Sequence, residues 1–210
     1  MPFLLLAAIG GTAVFAGLTY LVGTDAHLLG IDNGVATWAS VHVTPFWRDV
    51  LKAVTQLGSI YTVVALAIVV VVVDRIARRS LRVVPLLVAV VGGEEILVNT
   101  IKALVDRARP AFNPAAASLG PAFPSGHAAN AAAFYAVAAF VLACRRGRTA
   151  HVVLASLAAA IAVAVAASRV LLDLHWLTDV VGGLALGWAW FAVCAMTFGN
   201  RYRRRPTAAG

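Results

Sequence analysis

Long apolar runs dominate this chain, and only short polar stretches interrupt them. Six runs are each near the roughly 20 residues a helix needs to cross a bilayer. They cover residues 2–22, 57–73, 83–101, 126–144, 152–171 and 180–198. The pattern predicts an all-α integral membrane protein whose six spans pack into one bundle. Residues 1–200 would form a single membrane domain and residues 201–210 a basic tail. The first run lacks a basic leader and an Ala-x-Ala-like cleavage site, so it reads as a retained span. Residues 24–56 do not follow the span pattern. There Leu28, Leu29, Ile31, Val35 and Trp38 alternate with polar residues, and Trp38 and Trp47 suit the headgroup level. An interfacial helix is expected, with an ordinary linker as the alternative.

Charge refines the picture. Of the 210 residues, 12% are charged, against about 25% in soluble domains. The net charge of +8 does not point to nucleic acid, because the arginines gather at the ends of apolar runs. Three segments carry 11 of the 17 cationic side chains. They are the loop 74–82 with Arg75, Arg78, Arg79 and Arg82, the turn with Arg145, Arg146 and Arg148, and the tail with Arg201, Arg203, Arg204 and Arg205. Six spans put all three on one side, which the positive-inside rule makes cytoplasmic, together with both termini. The segment 24–56, the loop 102–125 and the turn around His175 then share the outer face of a cell membrane. Cys144 and Cys194 lie in or beside apolar runs and read as packing residues. Gly183 and Gly187 would permit a close helix contact.

Three polar blocks fall at the outer ends of the third to sixth spans. They are Lys102-x6-Arg109-Pro110, Pro124-Ser125-Gly126-His127 and Ser168-Arg169-x5-His175-x3-Asp179. Four residues apart at a helix start, His175 and Asp179 would share a face. A carboxylate on one imidazole nitrogen makes the other the better nucleophile. Ser125 and Gly126 open a helix whose exposed N–H groups and dipole suit an anion. His127 follows at once, placed to protonate a departing oxygen. Lys102, Arg109 and Arg169 are cations able to hold phosphate oxygens. Each block alone has a plainer reading: helix capping for the second and third, headgroup contact for the first. Their eleven fixed identities together point to phosphoryl chemistry by electrostatic clamping, without a metal.

The blocks resemble the signature of the type-2 phosphatidic acid phosphatase superfamily, which includes lipid phosphate phosphatases and bacterial undecaprenyl-diphosphate phosphatases. That resemblance implies a metal-independent hydrolase acting on a membrane lipid phosphomonoester or diphosphate, with no cofactor. It makes His175 the nucleophile that forms a phosphohistidine, and Asp179 its orienting partner. His127 becomes the proton donor to the leaving group and then the activator of water. Lys102, Arg109, Ser125, Gly126 and Arg169 become the phosphate-binding groups. The chain departs from many members at Ala108, where a second proline is common. A lipid phosphotransferase shares the first half-reaction, and a transporter or scaffold would explain the spans but not the blocks. The sequence names neither the lipid nor an oligomeric state.

Within the third span, Glu94, Glu95 and Asn99 stand in apolar surroundings. Glu95, Asn99 and Lys102 share a helical face, so Glu95 is a candidate to orient Lys102, with interhelical hydrogen bonding as the other reading. Arg107 is expected to pair with Asp106, and Asp173 to be a solvated loop residue.

Overall fold

The computed structural model describes residues 2–203 apart from Gly23, Asp25 and Arg145. The expected Arg145, Arg204 and Arg205 therefore lie outside the described residues. The chain is all-α, with helices α1 (Pro2–Leu21), α2 (Ala26–His42), α3 (Pro45–Gln56), α4 (Ile60–Arg78), α5 (Val83–Val105), α6 (Gly126–Ala143), α7 (Arg148–Leu171) and α8 (Leu177–Arg203). A short 3-10 turn, Pro114–Leu119, lies in the loop between α5 and α6. Among the described residues six helices are long and apolar enough to span a membrane: α1, α4, α5, α6, α7 and α8.

The segment 24–56 departs from a single interfacial helix. It forms two helices, broken at Val43–Thr44, because Pro45 has no N–H to donate back and is tolerated only in a first turn. The arginine-rich connections are also shorter than expected. Asp74, Arg75 and Arg78 belong to α4, which runs on until Arg79 adopts a left-handed conformation (φ 52°). Arg148 opens α7, and Arg201 and Arg203 extend α8. Helices overrun the apolar stretch because flanking arginines are good helix formers and can reach the headgroup region.

Helix α6 is the centre of the bundle. Its alanine-rich surface, from Ala128 to Ala133, is buried on several sides at once. Small residues on both partners let α8 approach to backbone contact. A Cβ at Gly183 would lie 2.5 Å from the Ser125 carbonyl oxygen, and one at Gly187 would strike the Ala129 carbonyl. These are the two glycines whose spacing suggested such a contact. On the opposite flank, Val63, Leu86, Val90, Phe134, Val137 and Cys194 join α4, α5, α6 and α8 in the main apolar core. Cys144 packs against that cluster, and both cysteines are free. Trp190 lies on Gly93 and donates its indole N–H to the Ala89 carbonyl at 2.9 Å.

This arrangement brings the C-terminal ends of α5 and α7 beside the N-terminal ends of α6 and α8. Helices α2 and α3 pack against that same end, mainly on α7 and α8. Two aspartates shape the connections there. Asp106 (φ 44°) ends α5 and Asp173 (φ 57°) turns the chain after α7, a left-handed conformation that aspartate accepts more readily than most residues.

Candidate active site

The three blocks converge at this end. The backbone N–H of Ser125 donates to the Asp179 carbonyl at 3.0 Å, joining the start of α6 to the start of α8. The N–H of His175 donates to the Arg169 carbonyl at 3.3 Å, so the α7–α8 turn folds back on the end of α7. His175 is buried, with Nδ1 3.4 Å from Asp179 Oδ2. That approach lacks the alignment of a hydrogen bond, and Nδ1 has no other partner. Nε2 lies 3.0 Å from Nη1 of Arg109. A guanidinium can only donate, so this contact favours the tautomer with its lone pair on Nε2 and its proton on Nδ1, on the side of the Asp179 carboxylate. Burial first, and then the charges of Arg109, Arg169 and Lys102, holds the His175 imidazole well below its usual range. The ring is therefore neutral at pH 7.

Arg109 stands at that Nε2, and Arg169 and Lys102 lie within electrostatic range of the ring. Arg109 donates to the carbonyls of Gly120 (2.7 Å), Leu174 (2.6 Å) and Pro121 (3.2 Å). Lys102, in the last turn of α5, donates to the Pro121 carbonyl. Arg169 is buried, bonded through Nη1 to Thr55 Oγ1 at 3.2 Å, while its Nε has no partner. Ser125 caps α6 by backbone conformation only; its buried Oγ makes no hydrogen bond. His127, in the first turn of α6, lies within electrostatic range of Arg169, His175, Arg109 and Lys102. Glu95 makes no ion pair with Lys102 but lies within its electrostatic range, while its Oε1 accepts from Asn99 Nδ2 at 2.9 Å.

Two expectations fail here. Arg107 engages Asp179 Oδ1 (2.6 Å), Thr178 Oγ1 (2.7 Å) and Asp32 Oδ2 (2.7 Å), not Asp106. The left-handed turn at Asp106 points the next residue inward, where two buried carboxylates outcompete an exposed neighbour. Asp173 is 1% exposed and bonded to Arg48 Nη2 at 3.2 Å. Burial raises the pKa of its carboxyl group, and Arg48 opposes that rise. Sequence reading did not find Asp32, Thr55, Arg48 or Thr178. One signal was available: an aspartate among the apolar residues of α2 must find a partner if its helix is buried.

Comparison with known proteins agrees with this geometry. The profile of the PAP2 superfamily matches residues 82–203. Phosphatidylglycerophosphatase B of Bacillus subtilis is 31% identical over 162 residues, covering 74% of this chain and 77% of that protein. A lipid A 1-phosphatase of Rhizobium johnstonii is 35% identical over 108 residues, 47% of this chain and 40% of that protein. Among solved structures, the transmembrane PAP2-type phosphatidylglycerolphosphate phosphatase from Bacillus subtilis superposes with a TM-score of 0.87 at 26% identity. That match covers 96% of this chain and all of the other. The chain belongs to the PAP2 superfamily. It is a membrane-embedded lipid phosphatase, built on six spanning helices.

Proposed function

We propose that this enzyme removes a terminal phosphate from a membrane lipid, as a monoester or from a diphosphate, through a phosphohistidine at His175. One observation carries the reading. The His175 ring is placed with Nδ1 beside the Asp179 carboxylate and Nε2 beside the Arg109 guanidinium, with Arg169 and Lys102 in electrostatic range of the same ring. Nε2 attacks phosphorus as the bond to the lipid oxygen breaks, and His127 gives that oxygen its proton. His127 then takes a proton from water, whose oxygen attacks phosphorus and breaks the P–N bond. The products are the lipid alcohol, or the lipid monophosphate from a diphosphate, and inorganic phosphate. Lys102, Arg109, Arg169, Ser125 and the N–H groups at Gly126 bear the charge that develops on the phosphoryl oxygens. Asp179 stabilises the positive charge gained by the ring.

Because side-chain cations supply this clamp, turnover is expected to survive EDTA. The active end is assigned to the outer surface of a cell membrane, since Arg75, Arg79, Arg146 and Arg148 border the opposite end. The test is phosphate release in detergent from phosphatidylglycerophosphate, phosphatidate, lipid A and undecaprenyl diphosphate, with and without EDTA. The expected result is release from at least one of them, unaffected by chelation and lost in His175→Ala. Full activity of that variant would overturn the reading. A Ser118→Cys protein lacking Cys144 and Cys194 should react with an impermeant maleimide on intact cells. Labelling only after lysis would reverse the orientation.

A further inference from the structure

Helix α2 reaches the catalytic end through a buried ring of hydrogen bonds. Asp32 Oδ1 accepts the backbone N–H of Thr178 at 3.0 Å, and Oδ2 accepts the Thr178 hydroxyl at 2.6 Å. That hydroxyl accepts from Arg107 Nη1, and Arg107 Nη2 closes the ring on Asp32 Oδ2. Asp32, Thr178 and Asp179 are all at most 5% exposed. Arg107 also lies over the Trp176 ring, 5.6 Å from its centroid. The Trp176 indole N–H is fixed on the Ala108 carbonyl at 2.8 Å. The guanidinium is thus held on three sides, and a single N–H contact remains for Asp179, at Oδ1. The other oxygen of Asp179 accepts the Trp176 backbone N–H at 2.9 Å and stands nearest His175 Nδ1.

We infer that Asp32 and Arg107 are positioning residues that set the working geometry of the Asp179–His175 pair. An arginine facing one carboxylate prefers two parallel hydrogen bonds. Freed from Asp32, Arg107 would take both oxygens of Asp179 and draw Oδ2 away from Nδ1. Asp32 prevents this by occupying half of the fork. It also matters for charge. Two carboxylates share one guanidinium, so one negative charge is left to offset the charge that His175 gains as the N–P bond forms. The effect travels through Asp179 and leaves the phosphate-binding cations untouched. The inference rests on the phosphohistidine reading given above.

The test is Asp32→Asn, which keeps the acceptor for the Thr178 N–H and removes the one for Arg107. The expected outcome is a fall in kcat of about 10- to 100-fold, the range seen when outer hydrogen-bond partners of metal-bound imidazoles are removed. KM and competitive inhibition by inorganic phosphate should stay within about twofold of the unmutated enzyme, because the cation cluster that binds phosphate keeps its partners. Asp32→Asn added to Asp179→Asn should cost nothing further, since both act on one contact. An unchanged kcat, an equal loss of phosphate inhibition, or a full additional loss in the double variant would overturn the inference. If Asp32→Asn does not survive extraction, Arg107→Lys carries the same test, because lysine cannot bridge the two carboxylates. His175→Ala, measured alongside, separates the failures. Turnover in that variant sinks the phosphohistidine reading, whereas its inactivity with a normal Asp32→Asn enzyme sinks only this inference.

Discussion

Asp179 and its neighbours Arg107, Thr178 and Asp32 leave no buried side-chain polar atom without a partner, while the candidate phosphate-binding residues are only partly matched. Ser125 Oγ and Arg169 Nε are buried and unpartnered, and Arg109 and Lys102 spend their charge on backbone carbonyls. Buried donors left unmatched cost about 1–3 kcal/mol each, a cost that a phosphoryl group bound there would relieve. On the proposed mechanism the first half holds a geometry, and the second receives an oxyanion. The difference also separates their charges. Carboxylates face Arg107 from two sides, whereas Lys102, Arg109 and Arg169 gather where no carboxylate bonds to them.

The largest effect should come from breaking the receiving half. Arg109→Gln removes a donor to both the His175 lone pair and the incoming phosphate, and kcat/KM should fall about 10²–10³-fold, as for other oxyanion donors. A loss below tenfold would mean that the cluster does not bear the reacting charge. Next is the pH profile. With the imidazole pKa depressed, the limb of kcat/KM that belongs to His175 should lie below the ordinary value of about 6.5. Arg169→Gln removes a cation that disfavours the imidazolium, so this limb should move up in pH. A limb that stays or moves down would contradict the assignment.

Smaller effects sharpen the packing side of the comparison. Gly183→Ala drives a methyl group into the Ser125 carbonyl and should cost about 1–3 kcal/mol of stability by overpacking, read as a lower melting temperature in detergent. Activity should fall with it, because Ser125 sits on the contact. The smallest effect is expected at the site of the missing proline. Ala108→Pro changes the backbone beside Arg107 while leaving the Ala108 carbonyl on Trp176, so thermal stability should move by at most about 1 kcal/mol. A large loss of turnover there would show that the loop needs the freedom alanine gives it.

Legibility in the sequence followed the range of the interaction. The six spans are visible because each is a continuous apolar run, and the blocks because the residues within each lie close together in sequence. His175 with Asp179 and Gly183 with Gly187 are spaced at one helical turn. Asp32 could not be read this way, as its contacts lie 75 and 146 residues away. The alternating pattern of α2 suggested a helix on the membrane surface, and the packing of α2 and α3 over the end of α7 brings Asp32, Arg48 and Thr55 inward. Arg107 was misassigned for the same reason. A neighbouring aspartate looked like its natural partner, and only the left-handed turn at Asp106 reveals otherwise.

The most direct measurement is rapid acid-free quenching of the enzyme during turnover of a lipid labelled with ³²P in its terminal phosphate, followed by peptide mapping. The expected result is an acid-labile, alkali-stable label on the peptide holding His175, absent from His175→Ala. Label on any other residue, or turnover that persists in His175→Ala, would contradict the account.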